Sequence, residues 1–178
     1  AVGMQALQTN TTGGNNVAVG QQTLYNNTTG SNNAAVGMQA LQTNTTGGNN
    51  VALGSLALLN NTTANNNIAI GSSSQKNTTT GDKNVTIGSS SMQNNTVGTN
   101  TIAIGTNTLQ YNTTGNYNVA LGSTALQNNT TGSYNIAIGY NAGSPNTDST
   151  VSNKLYIGNK TYTNAAISQH IIVGDLST

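Results

Sequence analysis

Few side chains of this 178-residue sequence can do acid–base chemistry: one histidine, three aspartates and four lysines. His170 is the natural general base, and Asp175, five residues later, is the nearest acid. A Ser–His–Asp triad also needs a serine in an activating context such as a nucleophile elbow, and the sequence has none. We therefore predict that His170 is a polar residue near a strand and that the chain is not an enzyme.

No pattern in the sequence indicates a metal or a cofactor. Asp82, Asp148 and Asp175 are too far apart for a calcium loop, which takes its oxygen ligands from alternate positions of one short segment. The absence of cysteine removes thiolate ligands and disulfides. Glycine-rich segments such as residues 13–14 lack the lysine and the helix of a phosphate-binding loop, so we interpret them as turns.

Composition excludes two classes of partner. Charged residues make up 4% of the chain and the net charge is +1, so there is no basic surface to hold a nucleic-acid backbone. No stretch approaches the roughly 20 apolar residues that cross a membrane. The commonest residues are instead the neutral polar types asparagine and threonine. We expect neither a nucleic-acid partner nor insertion into a membrane.

An internal repeat with a constant step of seventeen positions organises the sequence. An apolar-apolar-Gly triplet returns without insertion or deletion, and its glycines are Gly3, Gly20, Gly37, Gly54, Gly71, Gly88, Gly105, Gly122 and Gly139. A marker of the Thr-Thr-Gly type keeps the same step, and residues 1–18 and 35–52 are identical. The pattern already runs at Ala1, so we interpret the chain as part of a longer one.

Each repeat predicts a short strand followed by a bend. Val17 and Val19 alternate with Ala18, which is the period-2 pattern of a β-strand. The glycine that follows, Gly20, suits a sharp bend or a close approach of two backbones. A second piece with one large apolar residue, here Leu24, leads into an Asn/Thr/Gly run with the composition of a turn.

The repeat predicts an all-β fold, a parallel β-solenoid with two short strands and two turns in each coil. The unit is too short for a helical hairpin and holds few helix-forming residues. With strands about 4.8 Å apart, nine coils would make a rod roughly 40 Å long. A charged position would form a column of like charges along this rod, whereas asparagine and threonine can form hydrogen-bonded ladders. We predict such ladders.

The regular repeat ends after Gly139. Two strand-like runs follow at residues 154–158 and 170–174, and their glycines, Gly158 and Gly174, no longer keep the constant step. We divide the chain into a solenoid over residues 1–142 and an atypical cap or transition segment over residues 143–178, because a solenoid needs its exposed edge protected.

The large apolar side chains of each coil are few for a core that must offset chain entropy. The Val/Ile pair and the alanine between them point to opposite sides of the strand, and two apolar sides imply that both are covered. We expect one side to line the coil and the alanine column to contact another chain. The prediction is a homo-oligomer, most simply three solenoids around one axis, with a monomer as the alternative. The alanine column is Ala18, Ala35, Ala52, Ala69, Ala103, Ala120 and Ala137.

Tyr117 and Tyr134 are one repeat apart and should stack on adjacent coils at a turn. Because exposed aromatic rings can contact sugar rings, we mark the pair as a candidate glycan contact, with a stabilising ladder as the alternative. Flat threonine arrays can bind ice, but the paired threonines here, such as Thr11 and Thr12, are adjacent and cannot both face the same way on a strand. Ice binding is therefore disfavoured.

The repeat also carries a family resemblance. The phrase Asn-Ile-Ala-Ile-Gly at residues 67–71 and 135–139 resembles the head repeat of trimeric autotransporter adhesins of the YadA type, although their repeat is a few residues shorter. The full unit, Ala-Ile-Gly-x-x-Ala-Leu-x-x-Asn-Thr-Thr-Gly-x-x-Asn, is closer to arrays in bacteriophage and algal-virus tail-fibre proteins. Those arrays often precede an endosialidase-type intramolecular chaperone, and residues 152–158 and 171–175 are similar to the stretch that follows them.

The resemblance implies a homotrimeric fibre outside the cell, on a virion or a cell surface. We therefore predict a structural and adhesive segment, a rigid tail-fibre shaft that presents or contributes to host attachment. The alternatives are an autotransporter adhesin head and a self-assembling filament whose rods join end to end. Besides the chain itself, a host receptor or glycan is the expected partner. The chaperone is not in the sequence, so its catalytic residues do not carry over.

Overall fold

The computed structural model describes residues 1–144 and 149–158, together with the backbone of residues 172–175. Within these residues, ten strands form one sheet whose order follows the chain. The strands are β1 Val17–Val19, β2 Ala34–Val36, β3 Val51–Leu53, β4 Ile68–Ile70, β5 Val85–Ile87, β6 Ile102–Ile104, β7 Val119–Leu121, β8 Ile136–Ile138, β9 Lys154–Ile157 and β10 Ile172–Asp175. Strands β1–β9 pair in parallel, each with the next, so the predicted parallel β-solenoid is confirmed.

Stacking places equivalent positions of the repeat opposite one another. Ala18 lies opposite Ala35, and the same register continues up to β8. The nine repeat glycines have φ between +125° and +139°, a region that favours glycine. A Cβ on Gly20 would meet the carbonyl oxygen of Gly37 at 2.6 Å. The predicted bend and the close approach of two backbones are therefore both confirmed.

The second strand expected in each coil does not form. Residues 21–26 make successive turns in which Gln22 and Leu24 have φ of 54° and 51°. Left-handed residues at alternate positions curl the chain, so it cannot run as an extended strand. This segment still links the coils, since the Leu24 N–H donates to the Ala40 carbonyl at 3.0 Å.

The alanine column lies inside the coil, and the prediction that it contacts another chain is wrong. Ala18 is 1% exposed and packs in one cluster with Leu24, whereas Val17 is 52% exposed. The physical reason is the width of the coil. One repeat of chain encloses too little space for a leucine on one wall and a Val/Ile pair on the other, so the small side chain takes the inner position.

Side-chain sizes are exchanged in the last described coil. Tyr156 of β9 takes the place of the alanine column, opposite Ala137, and Gly143 stands one repeat after Leu126. A Cβ on Gly143 would meet both Leu126 and Tyr156 at 2.8 Å, so the tyrosine ring fills the space that a leucine fills elsewhere.

The two strand-like runs predicted after the repeat have different outcomes in the sheet. The first is β9, which extends the parallel sheet. The second overlaps β10, which pairs antiparallel with β9. The division of the chain between residues 142 and 143 stays a prediction.

Candidate interaction surface

The outer side of the sheet is a strip of aliphatic side chains, which we call the aliphatic face. It consists of the first and third residues of strands β1–β8, in two columns along the rod. The first column is Val17, Ala34, Val51, Ile68, Val85, Ile102, Val119 and Ile136, and the second is Val19, Val36, Leu53, Ile70, Ile87, Ile104, Leu121 and Ile138. Not one of these positions in β1–β8 is polar.

Pleating of the strand explains why these side chains face outward. Neighbouring residues of a strand point to opposite sides, so a buried central residue leaves both flanking residues outside. Ile87 and Ile138 accordingly remain 40% and 41% exposed. The two columns therefore form a continuous apolar strip along the rod, and large exposed apolar patches are candidates for interaction sites.

Side chains of mixed size and polarity border the aliphatic face. On one side, exposed residues of the turn before each strand include Tyr117 and Tyr134. On the other side, the position after each repeat glycine carries exposed residues such as Met38 and Tyr140. A partner seated on the aliphatic face would therefore contact both borders.

The two tyrosines of the border stack as the sequence predicts. The ring centroids of Tyr117 and Tyr134 are 5.0 Å apart and the ring planes differ by 10°. Each ring covers one face of the other, so only the outer faces and the ring edges are left for a ligand. The stacking is confirmed, and contact with a glycan stays a prediction.

A ladder of asparagine side chains, the turn ladder, runs inside the rod. Asn44 Nδ2 donates to Asn27 Oδ1 at 2.7 Å and to the Gly47 carbonyl at 2.9 Å. Asn27 and Asn44 are fully buried, and the hydrogen bond between their side-chain amides takes the place of a bond to water. The members of the turn ladder are Asn10, Asn27, Asn44, Asn61, Asn95, Asn112 and Asn129, with Thr78 at the remaining position.

A second ladder, the strand ladder, precedes the strands. The Asn50 backbone N–H donates to Asn33 Oδ1 at 3.0 Å, and Asn50 Nδ2 donates to the Ala64 carbonyl at 2.8 Å. The predicted hydrogen-bonded ladders are thus confirmed. They align the equivalent residues of neighbouring coils. The members are Asn16, Asn33, Asn50, Asn67, Asn84, Asn118 and Asn135, with Thr101 at the remaining position.

The paired threonines of the turn play different roles. Thr45 Oγ1 donates to the Thr62 carbonyl at 3.0 Å, so this hydroxyl is used between coils. Its neighbour Thr46 is exposed. The two threonines face in different directions, as the sequence predicts.

The titratable residues do not come together in the described part of the chain. His170 and Asp148 lie outside the described residues, and only the backbone of Asp175 is described. Asp82 Oδ1 accepts the Asn65 backbone N–H at 2.6 Å, which is a structural contact within a turn. Among the described residues, no three His, Cys, Asp or Glu side chains are grouped where they could hold a metal ion. The same residues include no helix with the length and hydropathy needed to cross a membrane.

The fold and this surface define a β-solenoid repeat protein with an exposed aliphatic face. Comparisons with family models, with curated protein sequences and with solved structures found no match to the chain. The alternation in each strand predicts two apolar sides, but the side expected to contact another chain is the inner one, and the side expected inside is the outer one. The sizes of Leu24 and Ala18 could have indicated which side faces inward, because a large residue on one wall of a narrow coil requires a small one opposite.

Proposed function

We propose that the chain is a rigid shaft segment of an extracellular fibre whose copies associate side by side through the aliphatic face, most simply as three rods around one axis. The observation that carries the proposal is this face, which has no polar residue in strands β1–β8. The resemblance to phage and viral tail-fibre arrays supports the same function. It suggests a place on a virion, where the shaft presents or contributes to a host-attachment tip.

A second copy of the chain is the partner that fits the aliphatic face. Its columns repeat at the same spacing, so the residues of one rod can meet equivalent residues of the next along the whole contact. A partner without this repeat would match the spacing at only a few coils. A standard interface buries about 800 Å² on each partner, and the aliphatic face offers an apolar strip that extends along eight strands.

The charges of the rod do not oppose this association. Lys76, Asp82 and Lys83 all lie outside the aliphatic face, and the net charge of +1 gives little repulsion between copies. Association through Val, Ile and Leu would also remove apolar surface of each rod from water, which is the main driving force for association.

The hydrogen bonding of the coils suits a mechanical role. Each coil is joined to the next by its strand, by backbone bonds of residues 21–26 and their equivalents, and by side-chain ladders, of which the turn ladder is interrupted at Thr78. A load along the rod is therefore shared among bonds on all of its sides. Weak lateral contacts with a host surface, repeated along the rod, would add up through avidity.

Light scattering coupled to size-exclusion chromatography tests the association. We expect the wild-type protein to have a mass of three times 18.0 kDa. The variant Ile87→Lys/Ile104→Lys places two charges on the aliphatic face and should have the mass of one chain. The matched control, Thr29→Lys/Thr46→Lys, places the same charges one repeat apart on exposed threonines of the turn and should keep the wild-type mass.

Three outcomes would contradict the proposal. A wild-type mass of 18.0 kDa would leave a monomeric solenoid. If the Ile87→Lys/Ile104→Lys variant kept the wild-type mass, the contact between copies would have to lie on a surface other than the aliphatic face. Long fibres of this chain in electron micrographs, with coils joined end to end, would favour the filament alternative.

A further inference from the structure

The exceptions to the repeat gather in the middle of the rod. Gln75 stands where the neighbouring coils carry Leu58 and Met92, Thr86 replaces the alanine of the strand, and Thr78 interrupts the turn ladder. Ser74 lies beside Gln75, at a position where other coils carry alanine, serine or threonine. All four side chains are fully buried. Together with Asn61, the last ladder residue before Thr78, we call this group the polar joint.

The polar residues of the joint bond mainly to one another. Ser74 Oγ and Thr86 Oγ1 are 2.6 Å apart, and Gln75 Nε2 donates to Thr86 Oγ1 at 3.1 Å and to the Ile68 carbonyl at 3.1 Å. The Oε1 atom of Gln75 is buried and has no hydrogen-bond partner within the described residues. A buried acceptor without a donor destabilises the fold, because it has lost water and gained nothing in return.

The turn ladder breaks at the same place. Asn61 Nδ2 donates to Asn44 Oδ1 at 2.7 Å, but Asn61 Oδ1 is the other buried atom without a partner in the described part of the chain. Thr78 cannot offer the amide donor that an asparagine would. On its far side, Asn95 Nδ2 reaches Thr78 Oγ1 at 3.4 Å, whereas the step from Asn112 to Asn95 is 3.0 Å.

The joint also divides the apolar interior. One buried cluster extends from Ala18 to Ala69, and the other begins at Met92 and ends at Tyr156. No buried apolar residue of either cluster lies between Ala69 and Met92 in the described structure. The two halves of the rod therefore share backbone bonds across the joint but no continuous core.

We propose that the polar joint is the weakest interior point of the rod, where neighbouring coils separate locally before the coils on either side do. The stability of a solenoid is approximately a sum of coil terms and nearest-neighbour terms, so one poor interface can divide it into two cooperative units. The joint would make the shaft bend at a fixed place. This inference concerns one chain and does not depend on how copies associate.

Native-state hydrogen exchange of the full chain tests the joint. We expect the Gln75 N–H, which donates across the joint to Ser91, to exchange at least about tenfold faster than the equivalent N–H groups of Leu41 and Leu109. If the rod opened only by fraying from its ends, the protection of backbone N–H groups from exchange would rise toward the middle of the rod. A minimum in the middle is therefore the signature of the joint, and maximal protection at Gln75 would overturn the proposal.

A repaired variant tests the cause. Ser74→Ala/Gln75→Leu/Thr78→Asn/Thr86→Ala restores the residues that other coils carry. We expect it to remove the minimum and to raise the unfolding midpoint by about 5 °C or more. The control Gln8→Leu makes the same exchange on an exposed side chain, at a position where another coil carries Leu59, and should leave the midpoint unchanged.

The reciprocal variant is Asn44→Thr, which copies the break at Thr78 into an intact part of the turn ladder. We expect a second minimum of protection near residue 44, because Asn27 Oδ1 then loses the amide donor it has now. A repaired variant with the exchange profile and midpoint of the wild type would overturn the proposal, whatever the reciprocal variant does.

Discussion

At the scale of single residues, two glycines six positions apart differ in the room around them. Gly20 has φ of +133°, and a Cβ there would meet the carbonyl carbon of Gly37 at 2.7 Å. Nothing lies within 4 Å of the position that a Cβ would take on Gly14. The coil therefore requires glycine at position 20, whereas a side chain would fit at position 14.

We predict that Gly20→Ala lowers the free energy of unfolding by about 2–3 kcal/mol or more, because alanine is strained in this backbone region and the facing carbonyl belongs to the next coil. Gly14→Ala should change it by less than about 0.5 kcal/mol. Urea unfolding followed by circular dichroism measures both. Equal losses in the two variants would show that helical or strand propensity, and not the close approach, decides the effect.

The required glycines could be predicted from the sequence, since their recurrence at one fixed position of every repeat marks a bend in every coil. The backbone of Leu24 could not be predicted. Its φ of 51° is unusual for an aliphatic residue, and nothing in the residue type indicates it. Complete burial of the side chain holds Leu24 there, so the cause is a tertiary contact that local sequence does not contain.

At the scale of the secondary-structure element, the strand ladder fixes the start of each strand. Asn50 Oδ1 accepts the Asn67 backbone N–H at 2.9 Å, so one side chain orients the beginning of the following coil. The chain also contains its own substitution of this position: Thr101 Oγ1 accepts the Asn118 N–H at 3.3 Å. Threonine can therefore replace asparagine as the acceptor of this backbone N–H.

The substitution Asn50→Ala should lower the free energy of unfolding by about 2 kcal/mol, because it leaves the buried Asn67 N–H without an acceptor. Asn50→Thr should restore part of this loss, since Thr101 shows that a hydroxyl can accept the same bond. Denaturant unfolding of the three proteins gives the comparison. If alanine and threonine cost the same, the acceptor is not what stabilises this position.

The strands themselves follow from alternation in the sequence, but alternation does not say which side faces inward. Val17, Ala18 and Val19 show two apolar sides, and only the width of the coil decides that Ala18 is inside. An apolar side of the strand that faces away from the core was therefore predictable, whereas the residues that form it were not. The strand can be recognised from three neighbouring residues, whereas the inward side of the strand depends on residues elsewhere in the coil.

At the scale of the whole molecule, stacking turns every position of the repeat into a column. Lys76 and Lys83 occur in one coil only, and the residues one repeat before and after Lys83 are Asn66 and Asn100. Neutral neighbours let a single charge remain solvated without a like charge above or below it. The small number of charges in the chain is thus a consequence of its architecture.

Charges placed on one exposed column should change the stability of the rod according to their pattern. Thr29, Thr46 and Thr63 stand in consecutive coils and are all exposed. In Thr29→Lys/Thr46→Lys/Thr63→Lys, each neighbouring pair of ammonium groups about 4.8 Å apart costs up to about 0.9 kcal/mol even in water. The loss of stability should therefore exceed the sum of the three single substitutions.

The matched variant Thr29→Lys/Thr46→Glu/Thr63→Lys has the same number of charges at the same sites but alternates their sign, and we expect it to be the more stable of the two triple variants. Urea unfolding at low salt measures the difference. In 1 M NaCl, where the Debye length is about 3 Å, the difference should largely disappear, because the charges no longer interact across one coil. Equal stability at low salt would mean that repulsion along columns is not what keeps this rod neutral.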